Sequence, residues 1–422
     1  MTETATASQP PNVVLIISDD QAWGDYGFMG HPHIQTPRLD QLARESLVFS
    51  RGYVPSSLCC PSLATMITGL YPHEHRITGN DPPATPGVKG LRNLLRDPTF
   101  VAVMDKMDDN IERVPTLPRM LAERGYLSLQ TGKWWHGSYA RGGFTDGMTH
   151  GDRARGGRHG DAGLTIGREG LKPIRQFLDK ANQAGKPFFV WYAPFLPHQP
   201  HNPPEWFLSK YRDKTDSIHV AKYWAMCEWF DETCGQVLDL LEEKKVADNT
   251  IVLYVCDNGW INQHDTSGYM PRSKRSPYDG GVRTPIMIRW PGHLQPAKCE
   301  HLASSMDLAP TILAACGLST PAAMSGVDLL DSSAVAARER IFGEVFTHNA
   351  IDIDNPSVNL KYRWCIDGSW KLILPNSRNV KNGEIELFHL TTDPNEKHNL
   401  AADRQEIVAR LRGHLEANWQ PE

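Results

Sequence analysis

"NVVLIISDD", residues 12–20, is a run of β-branched and other apolar residues closed by two aspartates. With no polar alternation, it reads as a strand buried on both faces, the habit of parallel sheets. Its carboxyl end is where such sheets place ligands. The same grammar recurs along the chain. "TPRLDQLARES" (36–46) has a helical period and "VFSRGYV" (48–54) returns to strand. "TLPRMLAERG" (116–125), closed by glycine, leads into "YLSLQTG"; "GLKPIRQFLDKANQAGK" leads into "PFFVWYAPF" (187–195); and "WFDETCGQVLDLLEEKKV" leads into "NTIVLYVCDNG" (249–259). Helix followed by buried strand, repeated, predicts an α/β fold: a large mixed, mostly parallel sheet sandwiched by helices. Past residue 325 the pattern changes. "RERIFGEVF", "YRWCIDGSWKLIL" and "IELFHL" are short strands between turns, and "RQEIVARLRGHLEANW" is an amphipathic helix. The expected division is a catalytic α/β domain over 1–325 and a small α+β subdomain over 326–422, an antiparallel sheet plus a helix.

With 422 residues, 40% of them hydrophobic and 22% charged, the chain can bury a large core. A formal net charge of -5 gives no general attraction to nucleic acid or an anionic membrane, so any bound anion needs a local positive cluster. No stretch approaches the roughly 18 apolar residues of a membrane span. The opening "MTETATASQPP" lacks a leader's basic and apolar regions, which predicts a cytoplasmic chain as given, periplasmic or secreted if a leader has been removed. Of eight cysteines, six are scattered without metal-site spacing and read as buried thiols. The glycine-, arginine- and histidine-rich stretch 137–161 reads as an irregular surface loop.

Asp19 and Asp20 end one buried strand; Asp257 and Asn258 end another. Either pair could simply turn the chain. Together, three carboxylates and an amide make a hard oxygen site suited to Ca2+ or Mg2+. In "LCCPSLATMITG" (58–69) a helix begins at Cys59 and Cys60, with Pro61 in its first turn. Free backbone N–H groups at such an end favour an anion or an activated nucleophile. Two buried thiols beside a helix start would look the same.

These residues resemble those of a type I sulfatase of the alkaline phosphatase superfamily. "LCCPSLATMITG" matches the family's CxPSR-to-TG signature at Cys59, Pro61, Ser62, Thr68 and Gly69. "GYLSLQTGKWWHG", "PFLPHQP", "CDNG", "KRSPYDGGVRTPIMIRWPG" and "LFHLTTDPNEKHNLA" are similar to later family segments, in the family's order. The resemblance implies that Cys59 is oxidised to Cα-formylglycine by a formylglycine-generating enzyme. It further implies that Asp19, Asp20, Asp257 and Asn258, with residue 59, hold Ca2+ or Mg2+. Lys133, His198 and Lys274 would act on the sulfate group, His198 and Lys274 protonating the leaving alcohol.

The chain departs from the pattern twice. Leu63 replaces the signature arginine, and Trp135 takes the place of the family histidine, so that His136 becomes the candidate base for sulfate release if a bulge turns it inward. His73, His75, Asn80, His201 and Arg158 are candidate substrate-binding residues, with Asp81, Trp206, Arg153, Arg155 and His159 nearby in sequence. The implied reaction is hydrolysis of a sulfate ester, by family analogy that of a carbohydrate, to alcohol and inorganic sulfate. The competing readings are a phosphodiesterase or phosphonate monoester hydrolase on the same scaffold, and an anion-binding protein that has lost catalysis.

Overall fold

The computed structural model describes residues 10–421. The opening stretch forms β1 (Asn12–Ser18), fully buried and central in the larger sheet. The remaining strands of that sheet are β2 (Leu47–Tyr53), β3 (Leu127–Gly132), β4 (Asp146–Gly147), β5 (Phe188–Ala193), β6 (Thr250–Cys256), β7 (Arg283–Arg289), β8 (Ala297–Cys299) and β9 (Ala303–Ser304). They run in the order β4-β3-β5-β1-β6-β7-β2-β8, with β9 also paired to β2. β7 is antiparallel to both of its neighbours, and the other pairings are parallel. The expected mixed, mostly parallel sheet is therefore present. Strand β7 and the β8–β9 edge lay outside the periodicity read above.

Alternate residues of β1 enter opposite cores. Val13, Leu15 and Ile17 pack with the helices Cys59–Thr68, Leu117–Ala122 and Leu308–Ala315. Val14 and Ile16 pack with Pro37–Arg44, Lys172–Ala184 and the 26-residue helix Ile218–Glu243. Burial on both faces explains the unbroken apolar run, since a solvated face would demand polar alternation. All eight cysteines are unpaired, Cys299 half-buried and the others buried. Among the described residues no helix is long and apolar enough to cross a membrane.

The second sheet is an antiparallel meander of β10 (Arg340–Phe346), β11 (Leu360–Asp367), β12 (Trp370–Pro375) and β13 (Glu386–His389). Helix Gln405–Asn418 covers one of its faces through Leu411 and Leu415. Trp364, Ile366 and Ile373 join the main core instead. The stretch 137–161 is more structured than a surface loop: it includes β4, buried Thr149, and backbone amides of residues 150, 151 and 152 that all donate to Asp161 Oδ2.

Candidate active site

Register places the acidic strand ends together. Ser18 pairs with Cys256, so Asp19 and Asp257 leave the sheet side by side. The Asp257 amide donates to Ser18 O at 2.9 Å, and the Asp20 amide donates to Asp257 Oδ1 at 3.0 Å. Asn258 Nδ2 donates to Asp20 Oδ1 at 2.6 Å. Asp20 holds φ at 66°, a region costing a non-glycine residue about 1–3 kcal/mol and typical of functional sites. On the next strands, Gly132 ends β3 at φ 77°, where a Cβ would lie 1.8 Å from Ala193 O. Only glycine allows this close turn, after which Lys133 Nζ reaches Asp19 Oδ1 at 2.6 Å and Asp257 Oδ2 at 3.6 Å.

Lys274 Nζ lies 2.5 and 2.7 Å from the two Asp20 oxygens. His198 follows β5; its Nδ1–H donates to Gln199 O at 2.6 Å, which turns Nε2 to within 3.3 Å of Asp20 Oδ2. Phe195 stacks on the His198 ring at 4.3 Å. Cys59 Sγ stands 3.6 Å from Asn258 Oδ1. Strands β1, β3, β5 and β6 and one helix thus bring Asp19, Asp20, Asp257, Asn258, Lys133, His198, Lys274 and Cys59 into a single pocket.

Burial pushes the Asp19 and Asp257 carboxyls above the usual carboxylate range, with Lys133 pulling the other way. Burial acts on Asp20 too, but Lys274 and His198 outweigh it and hold that carboxyl below the range. Burial raises the Cys59 thiol to about 11 in spite of both lysines, so the thiol is neutral and a poor nucleophile as it stands. Asp19 Oδ2 and Asp257 Oδ2 are buried with no hydrogen-bond partner. Ligand atoms of Asp19, Asp20, Cys59 and His198 lie within 4.8 Å of one another. Orphaned buried carboxylate oxygens are costly. A hard divalent cation would satisfy them, so the residues present fit such an ion.

The Cys59–Thr68 helix has no cap from Leu58, the residue before it. Asn80 serves instead: its Oδ1 accepts from the Cys60 amide at 3.0 Å. Asn80, expected on the substrate, therefore has a structural task at the nucleophile's helix. Leu63, where the family has arginine, is buried in the apolar core. The helix closes on Gly69 at φ 67°.

Three histidine expectations require correction. His136 is not turned inward by a bulge: strand-like alternation puts Trp135 beside Lys133, while His136 packs edge-on against Trp134 with its pKa driven down to about 3 by burial. His75, fully buried, bonds Thr65 Oγ1 at 3.2 Å and braces the Cys59 helix along its length. His73 pairs with Glu344 and stacks on Trp419 at 4.4 Å, tying the helix region to the C-terminal subdomain. Arg158 forms a two-pronged pair with Asp81 at 2.5 Å and lies 4.6 Å over the Trp135 ring. His201 packs against Tyr223 and Trp260, with both ring nitrogens buried and unpartnered. Trp206 is exposed, Arg153 pairs with Asp105 and Asp108, and Arg155 pairs with Asp152 on the surface.

The packing around the two lysines carried no sequence signal. Trp135 and Phe195 flank Lys133 Nζ at 5.9 and 5.7 Å, and Trp260 lies 5.7 Å from Lys274 Nζ. His159 leans on Trp135 and Phe195, its Nδ1 sealed from solvent. The loop bearing Lys274 is held from below by a buried triad. Lys371 Nζ lies 2.8 Å from Asp279 Oδ1 and 2.8 Å from Glu396 Oε1, and Glu396 Oε2 accepts from the Asp279 amide at 2.6 Å.

Strand ends offering carboxylates around a helix-mounted side chain, with lysines facing them, make a pocket of the α/β class whose donors fit a divalent cation and whose ammonium groups fit an anion. The comparisons with known proteins narrow the class. Residues 11–318 match the Sulfatase family model, and residues 269–420 match the model for the N-sulphoglucosamine sulphohydrolase C-terminal region. The chain belongs to the sulfatase family, a family of sulfuric ester hydrolases. It is 28% identical to N-acetylgalactosamine-6-sulfatase of Homo sapiens, over 96% of this chain and 85% of that protein. It is 31% identical to arylsulfatase A of Bos taurus, over 76% of this chain and 68% of that protein. Against the canine N-acetylgalactosamine-6-sulfatase it spans 66% of that protein's length. In fold it is similar to Ps i-CgsB solved with k-i-k-neocarrahexaose, with a TM-score of 0.76, 22% identity, and 98% and 94% of the two chains covered. It is also similar to the phosphonate monoester hydrolase of Agrobacterium radiobacter, with a TM-score of 0.70, 18% identity, and 96% and 94% covered.

Proposed function

We propose that this protein hydrolyses sulfate esters, of carbohydrates in the first instance, and that residue 59 works as formylglycine beside a calcium or magnesium ion. The observation that carries the reading is the placement of Cys59 Sγ 3.6 Å from Asn258 Oδ1, beside buried carboxylate oxygens that accept no hydrogen bond. Asp19, Asp20, Asp257 and Asn258 would hold the cation. Ion and modified side chain, when present, supply Lewis acidity and the attacking oxygen. Lys133 and Lys274 present desolvated ammonium charge to the sulfate oxygens, and such fixed charge usually provides the largest catalytic contribution. Lys274 would return the proton of the departing alcohol, while His198, held well below the usual imidazole range by burial and with its Nδ1–H given to Gln199 O, lines the same side of the pocket. The aromatic walls formed by Trp135, Phe195 and Trp260 keep water from screening these charges. Relatives that act on N-acetylgalactosamine 6-sulfate, and a similar fold solved with its substrate D-glucosamine-2-N,6-O-disulfate, support a saccharide as the alcohol.

The test is protein co-expressed with a formylglycine-generating enzyme and assayed on matched aryl sulfate and phosphodiester substrates, with and without chelator. Expected are faster sulfate turnover that chelation removes and added Ca2+ restores, together with a thiol-to-aldehyde mass loss on the Cys59 peptide. Faster phosphodiester turnover would assign the site to phosphoryl chemistry. Sulfate binding without turnover by fully modified protein would contradict an enzymatic role.

A further inference from the structure

Two cations, Arg275 beside this pocket and Lys361 on the C-terminal sheet, have no anionic partner among the described residues. Arg275 directly follows Lys274 and holds φ at 66°, a conformation a non-glycine residue adopts at a cost. Its amide donates to Ser57 O at 2.9 Å, two residues before Cys59, and Nη1 meets only the neutral Tyr269 hydroxyl, at 3.3 Å. Lys361 lies on the C-terminal sheet, where the register of β10 and β11 slips: Val345 faces Tyr362 and Phe346 faces Leu360, leaving Lys361 as the extra residue of a bulge. Bulges near active sites re-aim a side chain. Among the described residues neither cation forms an ion pair, and both are half-buried.

Backbone links bring the two segments to one place. The Glu344 amide on β10 donates to Pro55 O at 2.8 Å, and Ser57 O, two residues on, accepts from the Arg275 amide. His348, just past β10, accepts from the Asn80 amide at 2.8 Å, and Asn80 caps the Cys59 helix. Lys361 lies within reach of the Arg275 charge: burial first, and then Arg275, lowers the lysine's pKa. Burial, with Arg275 and Arg158, similarly lowers that of His348. Arg158, by contrast, is neutralised by Asp81. Two like charges held partly out of water without a counter-ion are unfavourable, and an arriving anion relieves them.

We propose that Arg275 and Lys361 form a second anion subsite, so that the preferred substrate carries, besides the scissile sulfate ester, another sulfate or a carboxylate on the same saccharide. This rests on the sulfate-ester reading of the residue-59 pocket. Consecutive positions 274 and 275, whose Cα atoms are about 3.8 Å apart, set one lysine toward the reacting group and one arginine toward its neighbour.

Crystals of the full chain soaked in selenate test this by anomalous diffraction. The expected result is one peak in the residue-59 pocket and a second between Arg275 and Lys361, with the second absent from R275Q/K361Q and the first retained. In solution, titration of the Cys59→Ala protein with glucosamine 6-sulfate, D-glucosamine-2-N,6-O-disulfate and a 6-sulfated disaccharide bearing a uronate separates the sources. At least tenfold tighter binding of the disulfate points to sulfate, and of the uronate to carboxylate; in either case R275Q/K361Q removes the gain. Single variants R275Q and K361Q, checked by thermal melting, cover a double variant that fails to fold. A selenate peak in the residue-59 pocket alone, or a second peak undisturbed by the substitutions, overturns the subsite and leaves the proposed activity standing. No peak at residue 59 contradicts the activity itself.

Discussion

Replacing Lys371 with methionine keeps the volume and removes the charge from a side chain that is fully buried between Asp279 and Glu396. The contact with Asp279 is a charge-assisted hydrogen bond of about 2 kcal/mol, and that with Glu396 Oε1, at 2.8 Å, is an ion pair. Orphaning one side of a buried ion pair generally costs about 3–5 kcal/mol. The expected loss near neutral pH is therefore about 4 kcal/mol. The pH dependence follows from Glu396, whose carboxyl burial already raises to about 7, with Lys371 restraining the rise. Without the lysine it rises further. A raised carboxyl leaves the folded state binding more protons than the unfolded chain above the ordinary carboxylate pKa, so stability falls as pH climbs through that window. Urea unfolding should therefore show a K371M penalty that is larger at pH 8 than at pH 5, and K371M/E396Q should recover part of it. Because Asp279 anchors the loop that carries Lys274, kcat should also fall by about 10–100-fold, the usual effect of misplacing a catalytic group by an ångström. A penalty below about 1 kcal/mol, or one independent of pH, would refute the claim that this triad is a charged clamp.

Cys59→Ala should abolish turnover with an unchanged melting temperature, whereas Cys60→Ala should keep measurable activity; equal losses would mean that the wrong sulfur has been assigned. Lys133→Met should lower kcat by at least 10²-fold, since it removes a buried charge bonded to Asp19 at 2.6 Å, and steady-state kinetics read this directly. His136→Phe should leave the pH–rate profile in place, because the ring packs on Trp134; a vanished acidic limb would restore His136 as a base. Asn80→Ala should cost about 1 kcal/mol of stability by removing the acceptor for the Cys60 amide, measured by denaturant titration.

The parts of this molecule legible in sequence are those written locally. β1, β5 and β6 declare themselves because burial on both faces leaves uninterrupted apolar runs, and their acidic ends mark the pocket. β7 was harder: "RTPIMIR" contains Pro285 and runs against its neighbours, and no residue pattern reports strand direction. The pocket's charges were readable from motifs, but its walls were not. Trp135 faces Lys133 only because alternation continues past the end of β3, which also carries His136 away. Asp279, Lys371 and Glu396 are distant in sequence, and Lys361 is aimed by a register slip that only strand pairing reveals. His73 and His75 sit close to the nucleophile in sequence, yet a helical turn directs them to Glu344 and Thr65.

The central claim is that one cation and the modified residue 59 share a pocket. Anomalous diffraction from crystals of protein matured with the modifying enzyme and soaked in Mn2+ tests it most directly. The account predicts a single strong peak within coordination distance of Asp19, Asp20, Asp257, Asn258 and an oxygen-bearing side chain at position 59. Metal bound elsewhere, with those carboxylates still unligated, would contradict it.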